Sequence, residues 1–256
     1  MVHFVGAGSG SPDLITVRGM KLLEKADVVI YAGSLINTEL LSYCREDVQL
    51  YDSAQMTLEE VLSVMKEAAE KDLKIVRLHS GDPSVYGAVR EQMDALYKLN
   101  IEYDVTPGVT AAMAAAASLG IEYTLPGVSQ SFIITRMGGR TPVPEGEKIE
   151  DYVKSGASVA VYLSSGMIRG ITDRLIQAGV PGDMPAAFVY KCSWADEKRY
   201  TGTLAELADA AANEGISNTA VILIGRAIGQ GDDRISYGRS RLYDPEFTTG
   251  FRKGTE

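Results

Sequence analysis

The sequence predicts an α/β protein of two αβα domains, with largely parallel sheets and a ligand cleft between them. Two observations carry this. Short apolar runs alternate with segments of helical spacing along nearly the whole chain, the pattern of successive βαβ units. The alternation pauses around YTLPGVSQ (123–130) and then restarts. That places one domain at 1–122, a second at 123–230 and a polar extension with scattered aromatics at 231–256. A chain of 256 residues suits two modest domains, able to bury a core without disulfides.

The elements follow in order. Val2–Val5 is an apolar run that reads as the first strand. Leu14, Val17, Met20, Leu22 and Leu23 recur at three- and four-residue steps, a helical stripe. Val28 to Tyr31, bounded by Gly33, suits a strand buried on both faces of a parallel sheet. Helical segments follow at 35–43 and 57–70, the second opened by Thr57 with Glu60 three residues on, a capping box. Lys74–Leu78 reads as strand, 84–99 as helix, Tyr103–Thr106 as strand and the alanine-rich 110–119 as helix. In the second domain Ser131–Arg136 is strand, followed by the polar loop GGRTPVPEGEK. Strand 157–163, helix 167–178, strand 186–190, helix 203–213 and strand 219–225 complete the series.

Three loops follow strands of the first domain: VGAGSGSPD (5–13), SGDPSVYG (80–87) and PGVTA (107–111). All are expected at the carboxyl edge of one parallel sheet, where open α/β sheets bind ligands. The first is not a dinucleotide cradle: Ser11 stands where the third glycine should be, and the second strand ends in YAGS without a ribose-binding carboxylate. It is not a Walker loop, since no GK[ST] follows. Alone, its glycines need only permit a tight turn. In the second loop Gly81 permits close backbone approach, Pro83 can begin the next helix and Asp82 can cap it. Thr110 can cap the helix of the third. No loop carries the lysine or arginine that a triphosphate needs. Such loops suit a nucleoside ligand, of which S-adenosylmethionine is one.

The formal charge of −9 argues against nucleic acid or an anionic membrane as partner. Cys44 and Cys192 form no CxxC pair, and with only His3 and His79 no metal-binding cluster is expected. No signal peptide or apolar run of about 20 residues is read, so a cytoplasmic location is expected.

VGAGSGSPDLITVRG, ADVVIYAGSL, GDPSVYG and PGVTA occur in this order in the tetrapyrrole (class III) methyltransferases, which the chain resembles from Val2 to about Arg226. YAGSLI (31–36), TRMGGRTPVPEGE (135–147), YKCSWADEK (190–198) and LYDPEF (242–247) are similar to the corrin-ring branch of that family. The resemblance implies methyl transfer from S-adenosylmethionine to C11 of precorrin-4 or its cobalt form, in cobalamin biosynthesis, by a homodimer. Other ring carbons, uroporphyrinogen, a protein substrate and a non-catalytic sensor stay open as alternatives. Its implied cofactor contacts are Ser80, Gly81, Asp82, Val85, Thr110 and Ala111 from the first domain, and Leu163, Cys192 and Ala220 from the second. Pro12 is implied at the ring-binding edge.

Tyr31 and Ser34 end the second strand and could line the ring site, although Tyr31 could equally be core packing. Arg136, Arg140 and Lys191 are candidates for the ring's carboxylates, against the alternative of solvated surface charge. No triad or paired carboxylate is read. Displacement at an activated methyl can rest mainly on positioning.

Overall fold

The computed structural model describes residues 1–229 and 237–255. The chain divides into two compact units, Met1–Ser118 with Lys191–Glu197, and Leu119–Tyr190 with Lys198–Glu256. The segment 191–197, which the sequence reading places in the second domain, packs with the first.

The first unit holds a five-stranded sheet in the order β3-β2-β4-β1-β5. Its strands are β1 (Val2–Gly6), β2 (Val28–Tyr31), β3 (Gln49–Asp52), β4 (Ile75–His79) and β5 (Tyr103–Thr106), and every pairing is parallel. The apolar runs are central strands because both faces are covered: Val5, Val29, Val76 and Leu78 pack on one side, Phe4, Ile30 and Ile75 on the other. Helices α1 (Val17–Leu23), α2 (Leu58–Glu70) and α3 (Val89–Lys98) lie between them in the chain, and α4 (Ala111–Leu119) follows β5. The capping box of α2 is present, with Glu60 N–H donating to Thr57 Oγ1 at 3.3 Å and Thr57 N–H to Glu60 Oε2 at 2.7 Å.

Two helices depart from expectation. The segment 35–43 forms a 3-10 turn over Thr38–Tyr43, opened by Asn37 capping Glu39 N–H. The helix expected at 84–99 begins only at Val89, because Tyr86 and Ala88 adopt left-handed backbone (φ 54° and 47°). Asp82 and Pro83 therefore do not start that helix.

The second unit holds a five-stranded sheet in the order β6-β7-β10-β8-β9. These strands are β6 (Phe132–Arg136), β7 (Ser158–Tyr162), β8 (Pro185–Tyr190), β9 (Lys198–Thr203) and β10 (Ala220–Ile224). Helices α5 (Ile149–Lys154), α6 (Ile168–Gln177) and α7 (Leu204–Asn213) belong to it, and its core centres on Val159, Ile171, Phe188, Leu207 and Ile222. Here the expectation of a largely parallel sheet is corrected. Only β6 and β7 pair parallel; β10 runs antiparallel to β7 and β8, and β9 antiparallel to β8. The cause is β9, a polar edge strand that escaped the apolar-run criterion. It reverses the chain after β8, so α7 returns β10 in the opposite sense.

Residues 231–236 and 256 of the polar extension lie outside the described residues. Its remainder is mostly exposed, with a 3-10 turn at Arg241–Tyr243.

Candidate active site

The three small-residue loops leave adjacent strands β4, β1 and β5 at the carboxyl edge of the first sheet. They touch through backbone. Gly8 and Gly81 form an antiparallel bridge, N–H to O at 3.2 Å and 2.8 Å in the two directions. Ala7 N–H donates to His79 O at 2.7 Å. A Cβ on Gly6 would stand 2.6 Å from Gly108 Cα and 2.7 Å from Gly81 O, so glycine is required where the loops cross. Gly8 and Gly81 also have φ of 79° and 62°.

Asp82 joins the second loop to the third. Its Oδ1 accepts from Ser84 N–H at 2.8 Å and Ser84 Oγ at 2.5 Å, and its Oδ2 from Gly108 N–H at 2.9 Å. Burial opposes its charge, but these donors outweigh it and hold the carboxyl below the ordinary aspartate range. Asp82 is thus a clamp between loops instead of a helix cap. Ser80 is exposed, Gly81 buried, and Val85, Thr110 and Ala111 are half-buried on the same loops.

Beneath the second loop lies a buried polar group. Arg77 on β4 donates to Gln92 Oε1, Ile30 O and Ser53 Oγ at 3.2, 3.3 and 3.0 Å, and burial pulls its pKa down to about 10. Gln92 Nε2 in turn donates to Ala88 O at 3.0 Å, supporting the left-handed turn. His79 ends β4 with its ring against Phe4, centroids 5.8 Å apart. Its Nε2 has no hydrogen-bond partner among the described residues. Burial first, then the Arg77 charge, push its pKa down to about 3, against a hydrogen bond to the Gly87 backbone.

The segment 191–197 seats on the glycine-rich loop. Trp194 Nε1 donates to Ser9 O at 3.1 Å, Ser11 N–H donates to Ser193 Oγ at 3.0 Å, and the Ser9 and Ser193 hydroxyls bond at 2.9 Å. A Cβ on Gly10 would run into the Trp194 indole. Cys192 is buried, and burial, then Glu197, push its thiol up to about 12. Lys191 pairs with Asp196 at 2.6 Å. Pro12 opens a 3-10 turn and is half-buried, beside Ser11, whose hydroxyl bonds Asp13. Tyr31 is half-buried against the first core, and Ser34 is exposed.

In the second unit, three predicted residues share one sheet edge. Ala220 opens β10 opposite Tyr190, and the register of β10 against β7 carries it toward Leu163. Ser165 Oγ fixes Ala220, donating to its carbonyl at 3.0 Å and receiving its N–H at 3.1 Å. Leu163 is 68% exposed and left-handed (φ 53°), and Thr219 is left-handed too (φ 48°). Such strain in non-glycine residues concentrates at functional sites. Arg136 ends β6 at the same edge, next to Tyr162. Its guanidinium donates to Met137 O, Thr141 O and Pro142 O, folding its own loop. Arg140 on that loop is exposed.

The sequence model of the Tetrapyrrole (Corrin/Porphyrin) Methylases matches residues 1–208. The chain belongs to the tetrapyrrole methylase family. A cobalt-precorrin-4 C(11)-methyltransferase of Methanocaldococcus jannaschii is 47% identical to this methylase over 98% of the chain and 96% of its own length. A precorrin-4 C(11)-methyltransferase of Sinorhizobium sp is 41% identical over 98% of both. The solved structure of a cobalamin biosynthetic enzyme, cobalt precorrin-4 methyltransferase, is 41% identical and superposes with a TM-score of 0.87, over 90% of this chain and 96% of that one. Like its relatives, this methylase is an α/β enzyme.

Sequence reasoning missed His79, Ser193, Trp194 and Glu197 as parts of this methylase's loop architecture. The last three lay in a stretch recognised as similar to the corrin-ring branch, but no spacing rule assigns them a partner.

Proposed function

We propose that this chain transfers the methyl group of S-adenosylmethionine to C11 of a precorrin-4-type ring, as the free or the cobalt-bearing substrate. The observation that carries this is the cluster of three loops, built of small residues without lysine or arginine, at one sheet edge of a chain 47% identical to an enzyme named for that reaction.

The residues fit the cofactor. Close backbone crossings among Gly6, Gly81 and Gly108 hold the loops against one another without intervening side chains. The absence of cations in the loops disfavours a phosphate, while the negative charge of the Asp82 carboxylate favours a ligand that carries positive charge. Bound there, S-adenosylmethionine supplies a methyl group activated by its sulfonium. Ser80, Gly81, Asp82, Val85, Thr110 and Ala111 hold and orient it. With the loops locked to one another, the chain's contribution is positional, and alignment of this kind is worth up to roughly 7–11 kcal/mol.

Arg140 is the candidate for a substrate carboxylate. Arg136 is committed to shaping the loop that presents it, and Lys191 to Asp196. Pro12, with its fixed φ, shapes the approach to the first loop. The same reading takes the enzyme as a cytoplasmic homodimer, which light scattering tests for assembly.

The functional test is turnover. S-adenosylhomocysteine should form only when S-adenosylmethionine and a precorrin-4-type ring are both present. Failure of the chain to bind S-adenosylhomocysteine at millimolar concentration in calorimetry would remove the cofactor from the account.

A further inference from the structure

The ties described above close into a circuit. The glycine-rich loop is bridged to the second loop by Gly8 and Gly81. The second loop is clamped to the third by Asp82 and Gly108 N–H at 2.9 Å. The third loop runs into α4, whose Ser118 Oγ donates to Glu197 Oε1 at 2.5 Å. Glu197 Oε2 accepts Ser193 N–H at 2.6 Å. Ser193 and Trp194 then return to Ser9 and Ser11 of the glycine-rich loop. The Glu197–Ser193 bond lies within 191–197, each other link joins a different pair of segments, and the last returns to the loop where the first began.

We infer that Lys191–Glu197 is a positioning strap, with Ser193, Trp194 and Glu197 holding the glycine-rich loop in register with the two loops proposed to bind the cofactor. Three features support a device of this kind over ordinary packing. The strap leaves a strand of the second sheet yet clusters with the first unit. It does so through left-handed backbone at Lys191 and Ser193 (φ 45° and 63°), a conformation whose cost only well-determined surroundings sustain. The loop it meets is matched to it, since Gly10 lacks the Cβ that would displace the indole. None of the three residues needs to touch the ligand: their effect passes through Ser9 and Ser11 to Gly8, and from Gly8 to Gly81.

The inference rests on the cofactor reading above, so its experiment separates the two. Ser193→Ala removes the hydroxyl that serves Ser9 and Ser11, and Ser193→Asn retains a polar side chain in a residue type that accepts left-handed backbone. Hydrogen exchange of the ligand-free proteins is compared over 8–11 and 80–82, and S-adenosylhomocysteine affinity is measured by calorimetry. Exchange in Ser193→Ala should rise at Gly8 and Gly81 as well as at Ser11, and affinity should fall about five- to tenfold, the equivalent of one or two lost hydrogen bonds. Ser193→Asn should restore part of both. A rise confined to Ser11, or unchanged affinity in a protein whose parent binds the ligand, overturns the strap. If Ser193→Ala does not fold, Trp194→Phe, which removes the indole N–H together with the fused part of the ring, carries the same two measurements. If the parent chain does not bind S-adenosylhomocysteine, the cofactor reading fails, and the exchange pattern alone decides the strap.

Discussion

The buried imidazole of His79 makes a prediction about acid stability. In the folded chain its pKa lies at about 3, because it is 5% exposed and faces the Arg77 charge. In the unfolded chain it titrates near the ordinary value of about 6.5. Between those values the unfolded state carries one more proton than the folded state, so stability falls as pH falls. The contribution is whole above the unfolded value and is lost steadily below it. Each pH unit removes roughly 1.4 kcal/mol, which gives a loss of about 2 kcal/mol at pH 5 relative to neutral pH. Asp82 titrates below this window, and its depressed pKa costs stability only in stronger acid. The assay is urea unfolding at pH 7, 6 and 5 for the wild type and His79→Leu. Trp194, the chain's one tryptophan, lies in the same unit as His79 and reports it by fluorescence. The substitution changes the level of stability at every pH, so the slope is what is read. The wild type should lose about 2 kcal/mol more than the variant between pH 7 and pH 5. Parallel pH dependences would refute the reasoning, since His3 and the carboxylates are common to both proteins.

The remaining predictions address the loops. Asp82→Ala strands the Gly108 and Ser84 N–H groups and should weaken S-adenosylhomocysteine binding roughly tenfold, at a cost of about 1–3 kcal/mol in stability; calorimetry showing unchanged affinity would remove its assigned role. Gly108→Ala places a Cβ against Gly81 O and 2.8 Å from Gly6 Cα. It should destabilise the first unit by about 1–3 kcal/mol and abolish detectable cofactor binding; thermal unfolding and calorimetry within error of wild type would show that the crossing is looser than described. Arg136→Ala releases three carbonyls of the loop after β6 and should speed proteolysis within 137–147 without altering cleavage elsewhere. An unchanged digestion pattern would deny Arg136 its shaping role.

How much of this was legible in the sequence depends on burial. Val28–Tyr31 coincides with β2, and 2–5 and 186–190 fall on strands, because central strands covered on both faces leave unbroken apolar runs, whereas 103–106 falls on β5, an edge strand of mixed sequence. Gln49–Asp52 and Lys198–Thr203 are edge strands with half-exposed, polar sequences, and neither leaves such a trace. Missing β9 inverted the expected direction of β10. The three loops were legible as a group because glycine, proline and the strand ends that precede them are local signals. Asp82 was legible as a capping residue, but its partner, Gly108, is 26 residues away, a contact that no local rule supplies. Trp194 and Ser9 are 185 residues apart and meet only through tertiary packing. His79 resembled any strand-end histidine; its depressed pKa comes from burial against Phe4 and Arg77, which share its strand or lie on the neighbouring one.

The most direct test of the central claim locates the transferred methyl group. The enzyme is incubated with S-adenosylmethionine carrying a carbon-13 methyl and with enzymatically prepared precorrin-4, or its cobalt form, and the product is examined by NMR. One new labelled methyl should appear, bonded to C11 of the ring. A methyl at any other ring carbon, or none with either form of the substrate, would contradict it.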